Sequence, residues 1–176
     1  MPTLTLDRLT ALLRQYTVQT GHPIDLLLIG GLAMAAYGHA SRATIDIDGE
    51  LREGVRPLKE FLSEHGIPAN LGQSLSGWSV VAMPPGYRDR ATTLIDEPNL
   101  RVTLPAPVDF IVAKLRRGTD EDLKDAAWIA ARYRVTAQQV RASAEAALAA
   151  SFEDTALLLF ERTVDRFCHN LASADR

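Results

Sequence analysis

Cysteine is almost missing from the 176 residues: Cys168 stands alone. No intrachain disulfide can form, and a zinc site built on several thiolates is excluded. Long hydrophobic runs are missing as well. No apolar stretch approaches the ~18–20 residues needed to span a bilayer. The N-terminal MPTLTLDRLTALL lacks a basic segment followed by a continuous apolar one. The expectation is a cytoplasmic protein with no membrane association. Nor is there an excess of positive charge, since 19 Lys and Arg face 22 Asp and Glu for a net −3. Coating nucleic acid by bulk electrostatics needs a basic face that neutralises several phosphates, and this balance disfavours it; a local basic patch stays open.

What is there is an ordinary globular composition, 47% hydrophobic and 23% charged, enough for one substantial core or a core with a helical appendage. Leu6, Leu9, Leu12, Leu13 and Tyr16 recur at helical spacing and predict an amphipathic helix over about 5–20 that ends near Gly21 and Pro23. DLLLI (25–29) reads as a strand covered on both faces. It runs into Gly30-Gly31 and then the helix-prone LAMAAYG. ATIDIDGEL alternates Ile45 and Ile47 against Asp46 and Asp48, which predicts a strand with one buried and one open face. VRPLKEFLSEHG reads as a helix stopping at Gly66, and 66–76 as loop. WSVVAM (78–83) and NLRVTL (99–104) read as strands, separated by the turn-rich PPGYRDR and LIDEPN.

After Pro105 the strand signal stops and four helical stretches follow. Thr119 with Asp122, and Thr136 with Gln139, have capping-box spacing. The fold class is therefore α/β (α+β): a small mixed sheet flanked by helices over 1–105, then a C-terminal helical bundle over 106–176. The stripe Phe160, Val164 and Phe167, and the helix carrying Trp128, read as core, and Cys168 falls in that stripe as a buried, inert thiol.

The chemistry gathers at residues 26–51. A glycine pair directly after a buried strand lets backbone approach a ligand closely, and the first N–H groups of the next helix then favour an anion such as a triphosphate. Asp46 and Asp48, two apart on an extended segment, project from one face, and two such carboxylates can share divalent cations. Mg²⁺ held by one or two carboxylates plus phosphate oxygens neutralises charge during phosphoryl or nucleotidyl transfer.

An apolar residue, Gly30-Gly31, a short helix and Asp46-Ile47-Asp48 together resemble the signature of the polymerase-β-like nucleotidyltransferase superfamily. More narrowly, RATIDID followed downstream by PAPVDFIVAKLRRGTDEDLKDAAWI is similar to the AbiEii/AbiGii-type group, which includes toxins. The resemblance covers about 25–132. It implies a nucleotidyltransferase core, an NTP substrate with Mg²⁺ or Mn²⁺ on Asp46 and Asp48, and Gly30 and Gly31 seating the triphosphate. It also implies a catalytic Lys114 countering that charge, completed by Asp122 and Asp125. Arg42 and Thr44 lead into the acid segment and count as nucleotide-binding residues, Arg42 equally as a charge partner of the aspartates. The acceptor implied is a hydroxyl of RNA (tRNA) or protein, and the role a toxin with a cognate antitoxin.

Two features depart from the pattern. The superfamily supplies a third carboxylate from a later strand, and WSVVAM carries no acid. Glu50 continues the alternation of Asp46 and Asp48 and is the one substitute in view. A catalytically degenerate protein that binds nucleotide or a partner without turnover is the alternative, and a structural protein dimerising through its helical end is a third reading. His39 reads as a solvated loop residue. Tyr87, Arg88 and Arg90 read either as a base-stacking and phosphate-gripping loop or as ordinary hairpin surface. The sequence leaves the oligomeric state open.

Overall fold

A computed structural model describes residues 3–39 and 43–174. The chain divides into two compact units, one formed by 1–74 with 91–104 and the other by 75–90 with 105–176.

The first unit is built on β1 (Ile24–Ile29), whose Leu26, Leu27 and Leu28 are all buried. The five-stranded sheet runs β3-β2-β1-β5-β4, with β2 (Ile47–Leu51), β3 (Ala69–Gly72), β4 (Thr92–Glu97) and β5 (Leu100–Leu104). β1 pairs antiparallel with β2 and parallel with β5; β2 pairs parallel with β3, and β4 antiparallel with β5. Directly paired residues share a face, so the register sorts the sheet. Ile24, Leu26, Leu28, Ile47, Leu51, Leu71, Leu100, Val102 and Leu104 form one apolar side. The opposite side carries Asp48, Glu50, Asn70, Arg101 and Thr103.

Three helices complete this unit. α1 (Leu6–Thr20) is capped by Thr5, which accepts from Arg8 N, and closed by Gly21 in the left-handed region. α2 (Gly30–Ala36) follows β1 without a linker, and α3 (Val55–Glu64) buries Leu58, Phe61 and Leu62. Tyr16 of α1 meets Phe61 of α3 edge to face, ring centres 5.3 Å apart.

The strand of the acid segment is shorter than its alternation predicts. β2 begins at Ile47; Ile45 is 46% exposed and lies with Asp46 in a bend. The reason lies in β1, whose ladder with β2 ends at the pair Ile29↔Asp48 because Gly30 already starts a helix. Residues 44–46 therefore have no strand beside them on that side.

Two strands were hidden in sequence read as loop or turn. Ala69–Gly72 is one, and the other is Thr92–Glu97, which takes in most of LIDEPN. The hairpin between β4 and β5 turns on Pro98-Asn99, with Asn99 at φ 61° in the left-handed conformation that a proline-led type II turn needs at that position.

The second unit corrects the sequence reading at WSVVAM. Leu75–Trp78 is a single 3₁₀ turn, and 79–83 is irregular. Three of its backbone donors go to serine hydroxyls: Val81 N to Ser79 Oγ at 3.2 Å, Ala82 N to Ser151 Oγ at 2.8 Å and Met83 N to Ser76 Oγ at 3.0 Å. Val81 and Met83 are buried and Val80 is half exposed.

The helices are α4 (Pro107–Arg117), α5 (Asp120–Tyr133), α6 (Ala137–Ala149) and α7 (Leu157–Ala174). Both capping boxes form as their spacing predicts. Arg116 of α4 donates to the carbonyls of Leu75 and Ser76, and its burial lowers its pKa to about 10. Phe160, Val164, Phe167 and Cys168 are buried on one face of α7, and burial raises the thiol's pKa so that it stays protonated. Among the described residues no helix is long and apolar enough to cross a membrane.

The reassigned segment can be checked by stability. Ser151→Ala removes the acceptor of Ala82 N and the donor to Ala147 O, and a lost pair of this kind costs about 1–2 kcal/mol in urea unfolding. Val80→Ser, at a half-exposed position, is expected to stay within about 0.5 kcal/mol of the parent.

Candidate active site

The two glycines after β1 are sockets. Gly30 sits at φ +71°, and a β-carbon there would overlap Asp48 Oδ2 and lie 2.9 Å from Asp48 Cβ. A β-carbon on Gly31 would stand 2.7 Å from Thr44 Cβ. The close backbone approach that the glycine pair permits is thus made by the chain's own acid segment, which lies directly against the start of α2.

Each aspartate is oriented by a neutral side chain. Thr44 Oγ1 donates to Asp46 Oδ1 at 2.5 Å, and Asn70 Nδ2 donates to Asp48 Oδ1 at 2.9 Å. Neither of these two donors carries a positive charge. Both aspartates remain partly exposed. Asn70 comes from β3, directly across from Asp48 in the parallel ladder. Its segment ANLG is poor in strand formers, so the sequence alone predicts loop there and gives Asn70 no signal.

Glu50 shares the Asp48 face of β2 and is 3% exposed. It lies one row away, level with Leu27 of β1. Among the described residues no three His, Cys, Asp or Glu side chains are grouped so as to hold a metal ion, so Glu50 does not complete a three-acid set with Asp46 and Asp48. Because 79–83 is irregular, WSVVAM also supplies no strand to carry a third acid.

Lys114, Asp122 and Asp125 come together in the second unit, at the corner of α4 and α5. Lys114 is 6% exposed, and its Nζ donates to Asp125 Oδ2 at 2.7 Å and Asp122 Oδ1 at 3.2 Å. Its ammonium also lies 5.6 Å from the centre of the Phe110 ring. Asp122 is fully buried and accepts from Arg117 Nε and Nη2, both at 2.6 Å, and from Thr119 Oγ1 at 2.7 Å. Burial pushes its pKa up, but the hydrogen bonds from Arg117 and Thr119 and the charges of Lys114 and Arg117 outweigh that, holding it at about 2. Two cations thus face two anions in a small polar knot. The same Asp122 closes the capping box at the start of α5.

Arg42 lies outside the described residues. The loop with Tyr87, Arg88 and Arg90 is structural in part. Tyr87 is buried with the Arg88 guanidinium 4.7 Å from its ring centre. Arg90 makes a two-pronged pair with the fully buried Asp109, both contacts at 2.9 Å.

The knot sets a pH dependence. A carboxylate held at about 2, below its ordinary 3.8, adds stability that is complete above pH ~4 and is lost as pH falls from ~4 through ~2. The size is about 2 kcal/mol at most. Urea unfolding of the parent between pH 5 and pH 2 is expected to show that loss, and Asp122→Asn to flatten this part of the profile while lowering stability at pH 7.

No curated protein matches the chain. A family model described as "Nucleotidyltransferase of unknown function (DUF6036)" matches residues 5–167. That span takes in the glycine sockets, the acid segment and the Lys114 knot, and the mixed sheet with its flanking helices suits a small nucleotidyltransferase core. The chain belongs to this DUF6036 nucleotidyltransferase family.

Proposed function

We propose that this protein transfers an NMP group from an NTP to a hydroxyl of RNA, tRNA in particular, or of a protein, with Mg²⁺ or Mn²⁺ held by Asp46 and Asp48. The observation that carries the reading is the pair of partly exposed carboxylates, hydrogen-bonded by Thr44 and Asn70, with Asp48 against Gly30 and Thr44 against Gly31. Hard carboxylate oxygens fit a cation that takes one or two carboxylates and fills its other positions with water and phosphate oxygens. A bound cation would supply charge neutralisation at the phosphates.

In the transfer, the acceptor oxygen forms a bond to the α-phosphorus, the bond from that phosphorus to the β-phosphate bridge breaks, pyrophosphate departs, and the hydroxyl proton passes to solvent. Asp46 and Asp48 are the catalytic residues in this reading. Gly30, Gly31 and Thr44 border the triphosphate, and Arg42 contacts it. Lys114 and Asp122 enter through the family resemblance. Their balanced, buried charges give them a positioning role, holding α4 against α5.

The resemblance of RATIDID and of the Lys114 helix to the AbiEii/AbiGii-type group supports a narrower form, a cytoplasmic bacterial toxin with a cognate antitoxin. One observation favours a second reading. No three-acid group is present among the described residues, which suits a degenerate protein that binds NTP without turnover.

The test is labelled transfer from each NTP onto total RNA and protein with Mg²⁺ or Mn²⁺, alongside calorimetric NTP binding. Labelling that falls at least a hundredfold in Asp46→Asn and Asp48→Asn supports the transferase. Metal-dependent NTP binding without labelling supports the degenerate form. Binding unchanged in the Asp46→Asn/Asp48→Asn double variant removes the metal role and with it the transferase reading.

A further inference from the structure

The second unit holds a cleft that the acid segment and the Lys114 knot do not use. The C-terminal half of α5 and the C-terminal half of α7 wall a cavity of about 490 Å³, within the ~300–1,000 Å³ common for small-molecule sites. The space has a clear origin in the sequence. Ala127, Ala130 and Ala131 lie three and four apart, on one helical face, and their methyl groups are too short to fill the gap. Phe167 and Leu171, four apart on α7, supply the other apolar wall.

The polar groups of the lining have one sign. Arg134 and Arg166 border the cavity, with Asn170 as a further donor, and no Asp or Glu lines it. Neither guanidinium is engaged by another described residue. Arg134 also occupies an unexpected place. It is the C-cap of α5 at φ 54°, where glycine is the usual residue because it bears no β-carbon. The chain thus keeps a long cationic side chain at a position where backbone preference asks for none.

We propose that this cleft is a binding site for a small amphiphilic carboxylate. Its hydrocarbon body lies between the α5 alanines and Phe167 with Leu171, and its carboxylate is gripped by Arg134 and Arg166. A planar two-oxygen anion matches the guanidinium fork, and the apolar walls require a body that acetate lacks. The proposal is independent of nucleotidyl transfer, because no residue of the acid segment or of the Lys114 knot takes part.

The probe is sodium octanoate, titrated into the full chain by calorimetry and by ligand-observed NMR, with octan-1-ol as the uncharged body and acetate as the bodiless charge. The expected result is saturable one-to-one octanoate binding at least tenfold tighter than either control. Arg166→Gln and Arg134→Gly are each expected to weaken it at least fivefold, and Ala127→Phe to abolish it by filling the space. Arg134→Gly separates binding from folding, because glycine suits φ 54° and melting is expected to stay level or rise. Octanol binding as tightly as octanoate, acetate binding as tightly as octanoate, or octanoate affinity unchanged in the arginine variants would each overturn the proposal, as would the absence of saturable binding.

Discussion

Steric room at two backbone positions organises the candidate site. Asp48 occupies the space a side chain at Gly30 would take, and Thr44 the space of one at Gly31. Everything else around the acids follows from that contact. Because Gly30 turns the chain from strand to helix at once, β1 offers β2 no partner beyond Asp48. Thr44, Ile45 and Asp46 then leave the sheet and bend over the glycines, where Thr44 can hold Asp46. The parallel pairing of β2 with β3 brings Asn70 level with Asp48. Asp46 and Asp48 end up partly exposed, with Thr44 and Asn70 as hydrogen-bond donors to them.

The helical unit buries paired charges. Lys114 and Asp122 are buried, and each meets opposite charge at hydrogen-bond distance. Removing charges from water is costly unless geometry and partner number compensate. Here one ammonium, one guanidinium, two carboxylates and the Thr119 hydroxyl satisfy one another. The arrangement ties the end of α4 to the first turn of α5, where Asp122 also favours the positive end of the helix dipole.

Local signals made much of this legible in the sequence. The run DLLLI, the glycine pair, the helical periodicities after Pro105 and both capping boxes depend on neighbours within a few residues, and the structure contains each of them. The same held for the buried α7 stripe and Cys168. What failed was set by distant partners. ANLG becomes a strand only because β2 lies beside it, and WSVVAM, richer in strand formers, finds no ladder and gives its N–H groups to serine hydroxyls instead. Ile45 looked buried by alternation, yet its exposure follows from where β1 ends. Asn70 could not be found from its own segment, since its only credential is the register with Asp48.

The most direct measurement is a crystal soaked with an NTP and Mn²⁺, with anomalous scattering locating the metal. The expected result is a peak about 2.0–2.3 Å from carboxylate oxygens of both Asp46 and Asp48, with phosphate oxygens of the nucleotide completing its shell. A nucleotide bound with its metal held elsewhere, or an ordered nucleotide with no metal at the two aspartates, would contradict the assignment of the acid segment as the catalytic centre.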